Sequence, residues 1–175
     1  YRESYDIFAS NGILFNHESH LRGETFVTRK ITMAAARILK NQQKKLILGN
    51  LNAVRDWGDA RDYVEGMWKI LQYKKPDDFI LATGKGYTVR QFTEKVFKKI
   101  GIQLIWKGKK EKEKGIDFKT GKVIVEINPK YYRPNEVERL IGNNKKAKRL
   151  LNWFPKISLD EMIDNMLDND IRNVK

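Results

Sequence analysis

Three short, wholly apolar runs set the fold class of this chain: Ile13-Leu14-Phe15, Leu46-Ile47-Leu48 and Phe79-Ile80-Leu81-Ala82. Each is followed by polar residues and then by a longer amphipathic stretch. Runs this short and uninterrupted fit strands buried on both faces of a parallel sheet, because a strand with one wet face alternates instead. Between them, Phe26, Val27, Ile31, Ala34, Ala35, Ile38 and Leu39 recur at helical spacing. Asp59 is a candidate N-cap for a helix running to about Tyr73, with Tyr63, Val64, Met67, Trp68 and Leu71 on one side and Pro76 as its stop. Thr88 and Gln91 form a capping box for a helix holding Phe92, Val96, Phe97 and Ile100, ended by Gly101. Ser158 and Glu161 form another for a last helix with Leu159, Met162, Ile163, Met166 and Leu167 inside.

Residues 1–9 read as the last turns of a helix broken by Asn11-Gly12, and 144–151 as a short basic helix. Gln103 to Trp106 and Val123 to Ile127 read as strands flanking a charged loop. Strands alternating with helices make an α/β chain. The strands are few for a closed, doubly wound sheet, so a sheet begun elsewhere and finished here fits better. The first residues have no signal-peptide pattern and start mid-pattern without a Met, as if the true beginning lay upstream.

Several chemistries are excluded. There are no cysteines, so disulfides, thiol catalysis and thiolate-bound metals fall away. The two histidines, His17 and His20, lack the spacing of a zinc pair, so no metal site is expected. No run approaches the ~18 apolar residues of a membrane helix. The net charge of +13 and pI of 9.8 raise nucleic acid as a partner. However, the lysines are spread along the chain, and the densest run, Lys107 to Lys114, alternates with Glu111 and Glu113 as a solvated loop does. No nucleic-acid partner is expected. No Gly-x-Gly-x-x-Gly follows a strand, and Gly84-Lys85-Gly86 reads as a tight turn. Neither a phosphate loop nor a Gly-x-Ser-x-Gly elbow is present, and no catalytic residue is assigned.

What remains is four polar segments, mostly after strands, where open α/β sheets bind ligands. They are Asn16-His17-Glu18-Ser19, then Arg22 to Val27 with Lys30 one turn on, then Arg55-Asp56-Trp57-Gly58, and last Tyr131 to Val137. The second leads into a helix N-terminus, which suits an anion. Arginines and a lysine from separate loops can converge on a diphosphate, and Glu136 can accept from ribose hydroxyls. Each segment also has a plain reading. Arg55 and Asp56 can pair with each other, His17 can bond a neighbouring carbonyl, and Glu18 can serve as an orienting acceptor. Tyr131 can stack on a base or simply pack. Trp57 and Trp68 read as core, and Glu65 reads as a surface partner of Arg61.

Asn11 to Ser19, followed by Arg22 to Ile31, resembles the GDP-mannose 4,6-dehydratases, members of the extended short-chain dehydrogenase/reductases. Further similar strings run in order: Leu48 to Leu51, Arg55 to Gly58, Asp62 to Glu65, Asp78-Phe79 with Ala82 to Gly84, Thr120 to Val123, Tyr132-Arg133-Pro134 with Glu136-Val137, Ala147-Lys148, and Leu151 to Trp153. The resemblance covers essentially the whole chain. It departs at Ser19-His20-Leu21-Arg22-Gly23, where the family commonly reads Ser-Pro-Arg-Arg-Gly, and at Asp59, where it often has His.

The resemblance implies the C-terminal part of a Rossmann-like fold with a smaller α/β substrate-binding domain. Residues 1–58 would end the cofactor-domain sheet and carry the first substrate loops. Residues 59–175 would form the remaining strands and the substrate subdomain, with the cofactor-binding half absent. It also implies a cytoplasmic, homo-oligomeric enzyme that takes GDP-mannose to GDP-4-keto-6-deoxymannose with tightly held NADP. In that family a hydride leaves C4, water is lost across C5 and C6, and the hydride returns to C6. By the same resemblance His17 and Arg22 would touch the cofactor. Asn16, Val27, Lys30, Arg55, Arg133 and Glu136 would hold the nucleotide sugar. The other readings are a related nucleotide-sugar epimerase or reductase, and a module that binds without catalysis.

Overall fold

A computed structural model describes residues 1–131 and 137–174. The chain begins with α1 (Arg2–Tyr5), β1 (Gly12–Leu14), β2 (Asn16–Glu18), α2 (Val27–Leu39), β3 (Leu46–Leu48), β4 (Val54–Arg55) and β5 (Trp57–Asp59). There follow α3 (Ala60–Leu71), β6 (Phe79–Leu81), β7 (Tyr87–Thr88), α4 (Val89–Lys99), β8 (Leu104–Lys107), β9 (Lys114–Asp117) and β10 (Val123–Ile127). The described part closes with β11 (Arg139–Leu140), α5 (Lys145–Leu151) and α6 (Leu159–Asn173).

β3 lies in a mixed sheet of order β3-β10-β9-β8, parallel to β10, while β9 runs antiparallel to both its neighbours. β1 pairs in parallel with β6, and β2 in parallel with β5. β4 joins β11 to β7. Two apolar cores result among the described residues. In the larger, Ile31 and Ala35 of α2, Phe92 and Phe97 of α4 and Ile163 of α6 meet Leu46 of β3. In the smaller, Tyr63 and Ile70 of α3 pack with Phe79, Leu81, Ala147 and Trp153. The Trp153 indole donates to the Asp62 carbonyl oxygen at 2.8 Å, which satisfies the one polar atom of that side chain.

The helices follow their sequence signals. Thr88 and Gln91 make both bonds of the capping box. Ser158 accepts from the Glu161 amide at 3.2 Å, and Leu159, Met162, Ile163, Met166 and Leu167 are buried as their period requires. Asp59 caps α3 by accepting from the Arg61 amide. Gly84 bends the chain after β6 with a φ of +75°, in line with a tight turn.

Other expectations need correcting. The first helix ends at Tyr5, where Asp6 turns left-handed at φ 51°. β1 is not buried on both faces: it pairs with β6 alone among the described residues, and Ile13 is 53% exposed. β2, β4, β5 and β9 occupy stretches read as loops. They carry no apolar run long enough to announce them, and backbone pairing holds them. Trp68 is 61% exposed, not core. α3 buries the stripe Tyr63, Gly66 and Ile70, which turns Val64, Met67, Trp68 and Leu71 outward. Glu65 bonds Lys69 and Lys156, because Arg61 is taken by a two-bond contact with Asp59.

Candidate functional site

A cavity of about 520 Å³ opens where the first turn of α2 meets the loop after β3 and the edge of β4. Asn16, Arg22, Val27, Lys30 and Arg55 all line it. These five sequence candidates come from three separate segments. α2 starts at an N-cap, Phe26, with no side-chain cap, so its first amides carry no side-chain acceptor, and Phe26 and Val27 line the cavity. Unpaired amides and the helix dipole favour an anion there.

The three cations are held in three different ways. The Arg22 guanidinium stacks 3.6 Å over the Phe26 ring, and its Nε lies 3.3 Å from a Glu18 oxygen. That Nε is buried and makes no aligned hydrogen bond. The Lys30 ammonium sits 4.1 Å over the Tyr131 ring, and burial lowers its pKa from 10.5. Arg55 donates to the carbonyl oxygens of Val54 at 2.9 Å and Val137 at 2.7 Å. The second bond ties it to the end of the segment carrying Arg133 and Glu136. Both of those candidates lie outside the described residues.

Asp56 does not pair with Arg55. It is fully buried and accepts from the Thr83 amide at 2.9 Å, the Thr83 hydroxyl at 2.6 Å, the Gly84 amide at 2.9 Å and the Gly142 amide at 3.2 Å. It thereby fixes the turn after β6 beside the strand that presents Arg55. Across the cavity, Gly49 lets the Tyr131 backbone lie against the β3 loop, since a Cβ there would overlap the Tyr131 carbonyl oxygen.

His17 stands apart. Its strand neighbours Asn16 and Glu18 line the cavity and it does not, as alternation along β2 dictates. Its ring stacks on Tyr63 at 5.1 Å, and its Nδ1 lies 2.9 Å from the Phe15 carbonyl oxygen. A carbonyl only accepts, so Nδ1 carries the hydrogen. An orphaned Arg22 Nε and a half-buried His17 whose Nε2 has no partner among the described residues fit a ligand bearing phosphates and hydroxyls, as a nicotinamide dinucleotide does.

Sequence reasoning passed over Ala53, Val89 and Lys130 as cavity walls; Thr25 and Trp57 lie inside segments it picked out, and Leu48 and Asn50 inside a string that carries the resemblance. A second cavity of about 730 Å³ is lined by His20, Leu21, Asp59 and the amides of α6, away from the cation cluster. No helix among the described residues is long and apolar enough to cross a membrane.

The sequence model of the GDP-mannose 4,6 dehydratase family matches residues 1–166. The Dictyostelium discoideum GDP-mannose 4,6 dehydratase is 57% identical over 175 residues, which is 100% of this chain and 49% of that protein. The human one is 52% identical over 171 residues, covering 98% and 46%. The chain therefore spans about half the length of the curated relatives it matches. Among solved structures, RMD from Pseudomonas aeruginosa complexed with NADPH superposes with a TM-score of 0.79 at 14% identity, covering 98% of this chain and 51% of that one. A dTDP-glucose 4,6-dehydratase from Bacillus anthracis, in complex with NAD, gives 0.75 at 16%, covering 98% and 47%. Those two show the fold alone, over about half of each of those chains. With its family model matched over nearly all its length, the chain belongs to the GDP-mannose 4,6-dehydratase family.

Proposed function

We propose that the whole protein is an NADP-dependent GDP-mannose 4,6-dehydratase, a lyase, and that this chain supplies its nucleotide-sugar site. The observation that carries this reading is the convergence of Lys30 and Arg55 on one cavity at an uncapped helix start, with the cofactor candidate Arg22 at its wall. Charged forks and an ammonium around free amides are what a diphosphate needs. Asn16 offers an amide to the sugar–phosphate side, and Val27 gives an apolar wall to the guanosine. On the resemblance, Arg133 meets the diphosphate and Glu136 the ribose.

His17 and Arg22 would hold the cofactor. When bound, that group takes up a hydride and returns it. The chain's own part is to grip the diphosphate, place the hexose and shield it from water. No catalytic residue is assigned in it, so the chain alone is expected to bind without turnover. The division at residue 58, the cytoplasmic setting and the homo-oligomer rest on the resemblance alone.

Titration calorimetry with GDP and GDP-mannose tests the reading. The chain should bind both, and Arg55→Ala should weaken each by about 1.5–3 kcal/mol, the size of a charge-assisted bond. Absence of binding by the unaltered chain, together with no 4-keto-6-deoxy product from the longer protein, would remove the reading.

A further inference from the structure

Glu18 is an anomaly in a cavity that gathers cations. Only 3% of its side chain is accessible, yet the residue lines the cavity. Its two oxygens are used unequally. Oε2 accepts from the Thr28 hydroxyl at 2.6 Å and faces Arg22 Nε at 3.3 Å. Oε1 has no partner among the described residues, and it is not one of the sealed unpartnered atoms. The little access the carboxylate has is therefore at Oε1. A negative oxygen there repels a phosphate, and it suits an uncharged donor. We propose that Glu18 is a ligand-contacting residue whose Oε1 accepts a hydrogen bond from a sugar hydroxyl, beside the arginine and lysine that meet the phosphates.

The inference rests on the nucleotide-sugar reading above and deepens it. Oε2 is committed to holding β2 against the first turn of α2, so the carboxylate is fixed in place before a ligand arrives. Burial pushes Glu18 above the usual carboxylate range, and Thr28, Arg22 and His17 pull it back only in part. A carboxylate in that condition is short of donors. A ligand hydroxyl supplies one without adding charge.

The experiment compares three probes on the whole chain by titration calorimetry: inorganic pyrophosphate, GDP and GDP-mannose. Glu18→Gln keeps the shape and removes the charge that strengthens the bond. It should leave pyrophosphate within about twofold and weaken a hydroxyl-dependent ligand roughly tenfold or more. Loss confined to GDP-mannose assigns the contact to the hexose. Equal loss for GDP and GDP-mannose, with pyrophosphate spared, assigns it to the ribose.

Equal loss for all three, or for none, overturns the proposal, because Glu18 would then act through Arg22 alone or not at all. Thr28→Val removes the bond that fixes Oε2 and should weaken only the hydroxyl-dependent ligands, by less than Glu18→Gln does; a uniform loss for all three in that variant also overturns the proposal. Should Glu18→Gln fail to fold, Glu18→Asp keeps the charge, withdraws Oε1 from the cavity, and is read by the same comparison. An unaltered chain that binds none of the three strikes the nucleotide-sugar reading itself, whereas binding with uniform loss strikes this inference alone.

Discussion

Lys30 shows what burial does to a single residue in this cavity. Its ammonium leaves water for the face of Tyr131, and desolvation lowers its pKa from 10.5. A cation–π contact offsets that loss only in part. The charged form is thus penalised in the folded state, and the penalty fades as pH rises from the lowered value through 10.5. A bound phosphate works the other way and favours the ammonium. Binding should therefore take up protons below 10.5, and affinity for pyrophosphate should fall as pH rises toward that value. Lys30→Met should flatten that pH dependence in calorimetry; an unchanged slope would clear Lys30 of any contact. At this scale the sequence was informative about type and silent about direction. Residue identity picked out Arg22, Lys30 and Arg55, while the side of β2 that His17 takes depends on a strand too short to be seen in the pattern.

Elements were legible where one signal dominated. α4 and α6 pair a cap with a single apolar stripe, and both formed as their spacing required. α3 carries apolar residues on two adjoining stripes, so periodicity cannot say which one packs. Gly66 settles it, because only its bare backbone fits against Leu81 and the Trp153 indole. The turn after β6 is held by a different device, the buried carboxylate of Asp56. Asp56→Ala would leave three backbone amides without their acceptor. It should cost at least about 3 kcal/mol in chemical denaturation; a loss under about 1 kcal/mol would mean the turn after β6 holds without it.

Over the whole molecule, two apolar cores share the work, and an exposed stripe lies beside the smaller one. Trp68 is the largest side chain in that stripe. Since it is 61% exposed, Trp68→Lys should change stability by no more than about 0.5 kcal/mol and should raise solubility. A thermal melt that moved further would place the indole inside after all. The convergence on the cavity was the part least legible in the sequence. No spacing rule brings Arg22 and Arg55 together; the family resemblance did so, and the packing of α2 beside the β3 loop is what makes it physical. Arg55 and Asp56 are chain neighbours that face opposite duties, one presenting a cation to the cavity and the other anchoring the turn beneath it. Anyone wishing to transplant this binding site into another scaffold would have to move that pair with Thr83, Gly84 and Gly142, since the lip of the cavity and its foundation are adjacent links of the same chain.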